Sequence, residues 1–394
     1  MSRLRFLTSG ESHGPELLAI LEGIPAGLSI SEDIINQQLL RRQRGSGAGN
    51  RMKIEKDQAT LVSGLMDGKT IGSPIGIRIT NLNHEEWRGK EISPFTIPRP
   101  GHVDLTGALK YGYQDLRPSL ERASARETAA RTAVGTICRH FLEQFSIQVG
   151  GWVSSIGPVV MESVQITGET FPDLVERAEA TGTRCPDPAT AKLMDAAIRE
   201  VKKAGDTLGG VIEIAVMGLP PGLGSFMHWD RKLDARLGAA VLGIPAIKGI
   251  EIGRAFENTK KRGTEIQDPI RSSEGNIYRP TNRAGGLEGG VTNGNPLIIR
   301  AAMKPIATTI TPQQTVDLIN QQESTSKYER SDFCPVPRAV PIIEAVVSFI
   351  LADALIEKLG GDSLAEMLPR FNNLPKSRFS DLNLDNEKHI WWPV

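Results

Sequence analysis

The 394-residue sequence is poor in cysteine and in aromatic residues, and it carries no net charge. Its three cysteines, Cys138, Cys185 and Cys334, have no paired spacing, which favours a reducing compartment and makes the cytoplasm the expected location. Lysine plus arginine equals aspartate plus glutamate at 46 each, so no global field attracts nucleic acid or a membrane surface. Aromatic residues make up 5% of the chain, too few for the base-stacking surfaces of single-strand binders. Any affinity for an anion must therefore be local.

The sequence also lacks a long uninterrupted apolar run. No apolar core follows Met1, and we therefore expect no secretory signal. The most apolar stretch, residues 339–359, is interrupted by Glu344, Asp353 and Glu357, so it predicts an amphipathic helix instead of a membrane span. Because the sequence has no cysteine pair and no histidine pair at the spacing of a zinc helix, we expect no metal site.

An alanine-rich stretch, residues 121–135, predicts a helix with few large apolar side chains. On such a helix Arg122 and Arg126 lie four residues apart and share one face. Arginine can bind a phosphate or carboxylate in two places, while alanine and glycine let a flat ligand come close. The alternative is a solvated helix in which Glu121 and Glu127 pair with these arginines, and the stretch alone does not decide between the two.

A basic, glycine-rich loop follows the first predicted helix, which we expect to begin at Ser31. No acidic residue occurs between Asp33 and Glu55, so the arginines of residues 41–53 have no local carboxylate to neutralise them. The loop is therefore a candidate anion clamp. Its spaced glycines follow a helix instead of a strand, so the fingerprint of dinucleotide-binding proteins is absent.

Two histidines lie beside glycine in separate loops. His13 follows the first predicted strand within residues 10–14, and His102 lies within residues 99–104. An imidazole with a pKa near ~6.5 suits proton transfer at neutral pH, and flanking glycine lets a substrate approach it. A single histidine in a turn is also commonly structural, and the residues alone leave that alternative open.

Two parts of the sequence echo each other. Residues 17–21 predict a strand that leads through a turn with proline and glycine into a helix, and residues 210–216 are followed by the same order of elements. This pattern predicts mixed α and β structure in two related halves. A glycine-rich turn at residues 285–290 could cradle a phosphate or a flat ring through its backbone amides, or it could be a hairpin turn.

Four further segments have clear patterns. Residues 187–203 predict a helix with Leu193 on its inner face. Residues 260–275 are charged and predict a mobile loop. Residues 330–341 contain three prolines and predict a rigid polar lip ahead of a long helix. The tail, residues 362–394, has a mixed composition that predicts loose order.

Three segments together resemble the signatures of the chorismate synthase family. They are residues 10–14, residues 121–135 around Arg-Ala-Ser-Ala-Arg, and residues 330–344. The resemblance runs from about residue 3 to about residue 360 and includes Gly101-His102 and the glycine turn at 285–290. It implies one catalytic domain over residues 1–361, with residues 362–394 as a C-terminal tail.

The resemblance also implies a fold, a reaction and partners. The expected fold class is α+β, a β-α-β sandwich in which antiparallel sheets enclose helices, assembled as a homotetramer. The expected enzyme is a lyase of the shikimate pathway that supplies aromatic amino acid biosynthesis. It removes phosphate and a proton from 5-enolpyruvylshikimate 3-phosphate to give chorismate, with reduced FMN (FMNH2) that is not consumed. No reductase-sized segment is visible, so we expect an external flavin reductant, with NADPH as the ultimate electron source.

Roles for individual residues follow from the same resemblance. His13 is expected at the leaving phosphate, His102 beside the N1 edge of the flavin, and Asp332 near its N5. The residues expected to bind the substrate are Ser12, Arg42, Arg51, Arg126, Arg131 and Arg338. The residues expected to line the FMN are Arg122, Ala123, Ser124, Pro245, Ala246, Gly289, Lys304, Pro305, Ile306, Ala307, Thr308 and Arg330.

Two functions of other classes stay open from the sequence. One is a flavin oxidoreductase that acts on an anionic metabolite, and the other is a non-catalytic sensor of phosphorylated metabolites. An oxidoreductase would consume the reduced flavin, whereas a sensor would bind its ligand without turnover.

The glycine loop departs from the family pattern at Ala48, where many bacterial relatives have an arginine. Arg44 lies on the same loop, so we expect it to replace the missing charge. Replacing Arg44 with alanine should raise the KM for the phosphorylated substrate, because charge-assisted hydrogen bonds contribute roughly 1.5 to 3 kcal/mol when partly buried. Adding Ala48→Arg should restore the KM in a steady-state assay. An unchanged KM in Arg44→Ala would make Arg44 a solvated charge.

Overall fold

Apolar residues at every second position build the first sheet. Strand β1 (Arg5–Ser9) pairs antiparallel with β2 (Glu16–Glu22), in which buried Leu17, Ala19 and Leu21 alternate with more exposed positions. The structure is a computed structural model that describes residues 4–48, 57–329 and 331–392. The next elements are α1 (Glu32–Gln43), β3 (Ala59–Ser63), β4 (Leu65–Met66), β5 (Lys69–Thr70), β6 (Ile75–Thr80), α2 (Asp104–Tyr111), α3 (Arg117–Ala123) and α4 (Thr128–Glu143).

The second part of the chain builds a larger sheet and its covering helices. Its elements are β7 (Gln148–Ile156), β8 (Val159–Val160), α5 (Thr170–Glu179), α6 (Pro188–Lys203), β9 (Gly210–Met217), α7 (Leu233–Leu242), β10 (Ile247–Ile252), α8 (Ala255–Asn258), α9 (Gly263–Ile266), β11 (Arg271–Ser273), β12 (Asn276–Tyr278), β13 (Leu287–Glu288), β14 (Val291–Thr292), β15 (Leu297–Met303), β16 (Gln314–Asp317), β17 (Gln322–Thr325), α10 (Val336–Leu359) and α11 (Leu364–Asn372).

The two main sheets have corresponding strand orders. The first sheet is ordered β1-β2-β6-β3, and the second is ordered β10-β15-β9-β7-β8. Starting from β7, the second sheet also places its first, second, fourth and third long strands side by side, and the pairs are antiparallel in both sheets. In each sheet a helix follows the second strand, α1 or α7. Helices and antiparallel sheets are both present, so the expectation of an α+β fold is confirmed.

A buried threonine fixes the turn that leaves the first sheet. Thr70 Oγ1 accepts a hydrogen bond from the Leu28 amide at 2.9 Å and donates one to the Pro25 carbonyl at 2.7 Å. Its own amide donates to the Leu28 carbonyl at 2.9 Å. The hydroxyl therefore satisfies two backbone groups that would otherwise be buried without partners.

The second half repeats this arrangement at Thr292. Its hydroxyl accepts from the Leu223 amide at 2.8 Å and donates to the Pro220 carbonyl at 2.7 Å. Residues 64–78 and 286–300 share Gly, Leu, Gly, Thr, Gly, Pro, Ile and Arg at the same spacing. This repeat is a stronger signal of two halves than the strand–turn–helix echo, and the sequence-based reasoning missed it. It also identifies the 285–290 turn as part of the β13–β14 hairpin.

Helices α4 and α10 pack against each other in the core between the sheets. A Cβ atom added at Gly135 of α4 would lie 2.3 Å from the Ala345 carbonyl oxygen of α10, so only glycine permits this approach. Helix α4 also contacts β2 and β6, while α10 contacts β7 and β9. The Leu4 amide donates to Asp353 Oδ1 at 2.8 Å, which joins the start of the first sheet to α10.

The structure corrects two expectations for α10. The helix begins at Val336 within the proline-rich segment, with Pro337 in its first turn and Pro341 inside it. The expected amphipathic pattern is wrong, because most residues of the helix are buried on all sides. Its length and composition would allow it to cross a membrane, but 89% of its most apolar window is buried within the protein.

The inner face of α6 differs from the expected one. Ala191, Met194 and Ile198 are buried, whereas Leu193 is 61% exposed. The buried residues recur at spacings of three and four, so the helical period is correct but the face is rotated. On the observed face Met194 and Ile198 place large apolar side chains in the core.

Two segments expected to be irregular contain regular structure. Residues 260–275 include the short helix α9 and strand β11, which pairs with β12, although their side chains are largely exposed. The C-terminal tail contains α11, and Met367 of that helix is fully buried. The 3-10 turn Phe379–Asp381 ends at Asp381, which is partly buried. All described residues of the tail after it are exposed.

The buried hydroxyl groups of Thr70 and Thr292 generate a stability prediction. Thr70→Val and Thr292→Val should each lower the free energy of unfolding by about 2 to 4 kcal/mol, because each leaves a buried amide and carbonyl without a partner. Thr80→Val, at an exposed position of β6, should change it by less than about 0.5 kcal/mol. Urea unfolding measures all three. If Thr80→Val lost as much free energy of unfolding as Thr70→Val and Thr292→Val, the hydrogen-bond explanation would be contradicted.

Candidate active site

Asp57 lies between two buried arginines near the end of α1. Its Oδ2 is 3.1 Å from Arg42 Nη1, and its Oδ1 forms an ion pair with Arg126 Nη1. Arg42 also donates to the Thr128 hydroxyl at 3.1 Å and to the Ala125 carbonyl at 3.0 Å. Because the three charged side chains are almost fully buried, these hydrogen bonds hold them in one arrangement.

This cluster corrects the expectation that the basic loop has no carboxylate to neutralise it. Asp57 lies just ahead of β3, which packs beside α1, so the chain brings the carboxylate back to the arginines. A buried guanidinium without a counter-ion is costly, and Asp57 removes that cost for both Arg42 and Arg126.

The alanine-rich stretch is broken at Ser124, so the single predicted helix is wrong. Helix α3 ends at Ala123, Ser124 is extended, and a short 3-10 turn precedes α4. The Ser124 hydroxyl accepts from the Arg126 amide at 3.3 Å and from the Ser12 hydroxyl at 3.0 Å. A serine that bonds the backbone two residues ahead favours a turn over a continuous helix, and here this overrides the alanine propensity.

Arg122 and Arg126 consequently do not share a helix face. Arg122 Nη1 donates to the Gly10 carbonyl at 3.1 Å, and its Nη2 donates to the Thr8 carbonyl at 3.0 Å. Arg122 thus fastens the end of β1 to α3, whereas Arg126 turns inward to Asp57. Arg122 is therefore bound to backbone carbonyls, whereas Arg126 is bound to a carboxylate.

His13 is held in a partly buried position by Glu121. Its Nδ1 lies 2.7 Å from Glu121 Oε1, and its backbone amide donates to Glu121 Oε2 at 2.9 Å. The ring also packs on Trp87 with 4.1 Å between centroids. Burial acts to raise the pKa of Glu121, but the hydrogen bonds and charge of His13 outweigh it, so that this pKa lies below its ordinary value. Glu121 therefore remains an acceptor that fixes the ring.

His102 belongs to a second cluster with Arg99 and Asp104. His102 Nδ1 lies 2.6 Å from Asp104 Oδ1, and Arg99 Nε donates to Asp104 Oδ2 at 2.8 Å. Asp104 is fully buried. Burial acts to raise its pKa, but hydrogen bonds from Arg99 and His102 outweigh burial and hold the pKa well below its ordinary value. The carboxylate therefore stays ionised and orients both partners.

The end of β15 meets the His102 loop. Lys304 Nζ donates to the Gly101 carbonyl at 2.6 Å, and the Lys304 amide donates to the Ala246 carbonyl at 2.9 Å. Arg99 Nη1 donates to the Thr308 hydroxyl at 3.2 Å. The structure thus brings residues 304–308 and 245–246 together with the loop that carries His102.

Asp332 and Arg338 form an ion pair at the start of α10. Arg338 Nε donates to the Arg42 carbonyl at 3.1 Å, which connects this pair to the Asp57 cluster. The Phe333 amide donates to the Gly47 carbonyl at 2.9 Å, so the glycine loop packs on the same segment. The neighbouring Ser331 hydroxyl donates to the carbonyl of residue 308, which links Asp332 to the His102 cluster.

Several predicted site residues lie elsewhere or outside the described residues. Arg131 pairs with Glu127 and donates to the Gly243 carbonyl at 2.9 Å, apart from Asp57. Gly289 is in the β13–β14 hairpin near the start of β15, whereas Lys304 follows the end of that seven-residue strand, roughly 20 Å away. The remaining two, Arg51 and Arg330, lie outside the described residues.

The structure describes the glycine loop as far as Ala48, the position where many bacterial relatives have an arginine. Arg44 is exposed, and its side chain makes no hydrogen bond or ion pair within the described parts of the chain. Ala48 is half-buried. Gly47 packs so tightly on Cys334 that an added Cβ would lie 2.8 Å from the Cys334 carbonyl oxygen, so this end of the loop is anchored.

Sequence reasoning missed the acidic partners of the site. Asp104 stands two residues after His102, a spacing that could have suggested a histidine–carboxylate pair. Glu121 was considered only as a partner for arginine, although it binds His13. Asp57 and Trp87 carry no local signal, because their contacts depend on how distant parts of the chain meet.

No cluster of histidine, cysteine and acidic side chains able to hold a metal occurs among residues 4–48, 57–329 and 331–392. The arrangement instead offers arginines and a lysine for anions, and two oriented imidazoles for proton transfer.

Comparisons of the sequence and of the structure with known proteins find chorismate synthases. A family profile described as chorismate synthase matches residues 4–356. A chorismate synthase of Trichlorobacter lovleyi is 50% identical over 382 residues, covering 92% of this chain and 96% of that protein. One from Aquifex aeolicus is 48% identical over 385 residues, covering 94% and 97%. A crystal structure of chorismate synthase matches with a TM-score of 0.78 and 42% identity, covering 95% of this chain and 98% of that one.

The buried Asp104 carboxylate generates a pH prediction. Its folded-state pKa is lowered, so its stabilising contribution is present above the ordinary value of 3.8 and is lost as the pH falls below it. Asp104→Asn should therefore be less stable than wild type at pH 7, by about 3 kcal/mol. The difference should shrink by about 1.4 kcal/mol per pH unit below 3.8.

Urea unfolding at several pH values measures this difference. Asp195→Asn is the control, because Asp195 makes no hydrogen bond or ion pair within the described ranges. Its difference from wild type should stay small and nearly constant. A pH-independent loss of stability in Asp104→Asn would argue against an ionised carboxylate in the native protein.

Proposed function

The chain belongs to the chorismate synthase family and is a lyase, and we propose that the site described above eliminates phosphate and a proton from 5-enolpyruvylshikimate 3-phosphate to give chorismate. The observation that carries the proposal is the family match across residues 4–356. The arrangement of the site supports it, since a phosphate and two carboxylates on one substrate call for several arginines and few competing anions.

The anion-binding group is centred on Arg42, Arg126 and Arg338. Within the described residues, three guanidiniums of this group pair with two carboxylates, those of Asp57 and Asp332. Asp57 keeps two of the guanidiniums ordered before the substrate arrives, so that little side-chain entropy is lost on binding. Ser12 and Arg51 would complete the substrate site, and Arg131 would join it only through a change of its present pairing.

Reduced FMN would lie against residues 304–308, residues 245–246 and Ala123-Ser124. When bound, it supplies electron density to the reacting system without being consumed. The donor set fits such a group: Lys304 supplies a cation beside Gly101, and the small side chains of Ala246 and Ala307 leave room for a flat ring. Arg122 would support this bed indirectly through β1. Arg330, which lies outside the described residues, would join it.

His13 would donate a proton to the departing phosphate. Glu121 holds its Nδ1, so Nε2 is the nitrogen left to face the substrate. Asp104 holds Nδ1 of His102 in the same manner, in the loop beside residues 304–308. Asp332, at the start of α10, would take part in removing the substrate proton. The two histidines are oriented by carboxylates, partly buried Glu121 and fully buried Asp104, and Asp332 is held by Arg338, which reduces the reorganisation needed during reaction.

The proposal extends to the whole fold. We propose a sandwich of two related halves, supported by the corresponding strand orders and by the α4–α10 pair that contacts both sheets. One continuous core that runs from Leu4 to Met367 supports a single catalytic domain. The core reaches slightly beyond the expected boundary at residue 361, because α11 packs against it.

We also propose a homotetramer. The outer face of the first sheet carries Leu7, Leu18 and Ile20 at 75%, 45% and 53% exposure, which suits burial against another subunit. A partner subunit would supply Gly289 to the flavin, because Gly289 of the same chain is remote from Lys304. The cytoplasm and an external reductant that draws on NADPH remain the proposed setting, and buried, unoxidised Cys138 is compatible with it.

An anaerobic assay with photoreduced FMN and 5-enolpyruvylshikimate 3-phosphate tests the proposed function. We expect release of phosphate and formation of chorismate while the flavin spectrum stays reduced. Stoichiometric oxidation of the flavin would instead indicate the oxidoreductase. Binding without product would indicate the sensor.

The two oriented histidines generate a catalytic prediction. His13→Ala and His102→Ala should each lower turnover by about 10² to 10⁴-fold, the effect of losing a proton-transfer group, with little change in folding. His228→Ala is the matched control, because His228 makes the same 2.6 Å contact with Asp230 on the exposed surface. Its kcat should equal that of wild type. Full activity of both site variants at saturating FMN would refute the catalytic assignment.

Asp332 gives a separate prediction. Asp332→Asn keeps the size of the side chain and removes its charge, so FMN affinity should change by less than about threefold while kcat falls by at least about tenfold. Fluorescence titration of FMN and single-turnover kinetics measure the two effects. A variant that no longer binds FMN would make Asp332 a structural anchor for Arg338.

A further inference from the structure

Arg184 is not among the predicted site residues, but it connects the end of α1, which carries Arg42, to the start of α10, which carries Arg338. It lies in the turn between α5 and α6 and is almost fully buried. Its Nη2 donates to the Arg41 carbonyl at 2.6 Å, and its Nη1 donates to the Arg44 carbonyl at 3.2 Å and to the Pro337 carbonyl. Its Nε donates to Glu179 at 3.0 Å, which supplies the counter-charge. One guanidinium therefore uses all three nitrogens.

The contact with Pro337 has a specific cause in the sequence. In a regular helix the Pro337 carbonyl would accept the amide hydrogen of residue 341. Residue 341 is a proline inside α10 and has no amide hydrogen. Arg184 supplies the donor that the helix lacks at this point, so the first turn of α10 depends on a side chain from another element.

Two of the three carbonyls that Arg184 binds directly precede anion-binding residues. Arg41 and Arg42 share one peptide group, and so do Pro337 and Arg338. Fixing these planes fixes the starting points of both site arginines relative to each other. The glycine loop also docks on this turn, because the amide of Ser46 donates to the carbonyl of Gly182 at 2.7 Å.

The backbone of Arg184 is itself constrained. Its φ of 54° lies in the left-handed region, which is strained for a non-glycine residue. Its amide donates to the Thr181 carbonyl at 3.2 Å, and its carbonyl accepts from the Val153 amide of β7 at 2.8 Å. Such a conformation persists where the surroundings determine it, and here it aims the guanidinium at α1 and α10.

We propose that Arg184 is a positioning residue for the substrate site: it sets the spacing between Arg42, Arg338 and the glycine loop without touching substrate. The inference rests on the proposed function. It assigns a role to the segment between α5 and α6, which none of the predicted site residues occupies. Loss of Arg184 should weaken anion binding more than it slows the chemical step, because the residues that it positions bind the substrate anions.

Arg184→Lys and Arg184→Gln test this role. Lysine keeps a charge for Glu179 but cannot reach three carbonyls on two elements. We expect both variants to raise the KM for 5-enolpyruvylshikimate 3-phosphate between about 10- and 100-fold, with kcat changed much less. Arg177→Lys and Arg177→Gln are the matched controls, because Arg177 lies on α5 in an exposed pair with Asp173. Their KM should equal that of wild type.

A second comparison separates positioning from general stability. Pro341→Ala restores an amide donor for the Pro337 carbonyl, so in the Arg184→Gln background it should recover part of the lost substrate affinity. The Pro341→Ala change alone should leave KM within about twofold of wild type, since both donors are then present. A KM in the double variant that is no better than in Arg184→Gln would overturn the proposed link between α10 and Arg184.

Binding of inorganic phosphate, followed by thermal shift, gives a readout that does not need turnover. The half-saturating phosphate concentration should rise in the Arg184 variants and stay unchanged in the Arg177 variants. If wild type shows no lyase activity, the proposed function fails, while the phosphate titration still decides the positioning role. Unchanged KM and unchanged phosphate binding in folded Arg184→Lys would overturn the inference alone.

Discussion

The contact between α4 and α10 is the constraint on which the rest of the arrangement depends. Gly135 lets the helices approach so closely that a methyl group would collide with the backbone at Ala345. Residues just ahead of α4 supply Arg126, and the first turn of α10 supplies Arg338. The absence of a side chain at Gly135 therefore sets how far apart Arg126 and Arg338 lie.

Charge in this protein is organised locally. The sequence has no net charge, yet the described cationic groups of the site have a carboxylate or carbonyl partner, and Arg42 and Arg126 share Asp57. A buried ion pair adds little to stability relative to apolar packing, but losing one member is costly. Pairs such as Asp57 with Arg42 therefore serve to hold geometry. The site keeps its form before any ligand arrives, at the cost of tolerance to substitution.

The sequence predicted those parts of the site that are local in the chain. His13 and His102 stand beside glycine, and that spacing survives folding. The break at Ser124 was not predictable from alanine content, because one side-chain hydrogen bond to the backbone decided it. The charges of α10 were misleading for a related reason: Glu344 and Asp353 are buried in ion pairs with arginines of other helices, so they do not mark an exposed face.

The late position of α10 has a consequence for how the protein is made. The second sheet packs on this helix, α4 joins it to the first sheet, and the start of β1 is closed by Asp353. At 5–20 residues per second, a ribosome needs roughly 17 to 67 seconds before residue 336 is added. During that interval the apolar surfaces of β7, β9 and α4 lack their contact with α10. A nascent chain of this protein is thus exposed to aggregation until α10 emerges, and truncation ahead of Val336 would leave it dependent on chaperones.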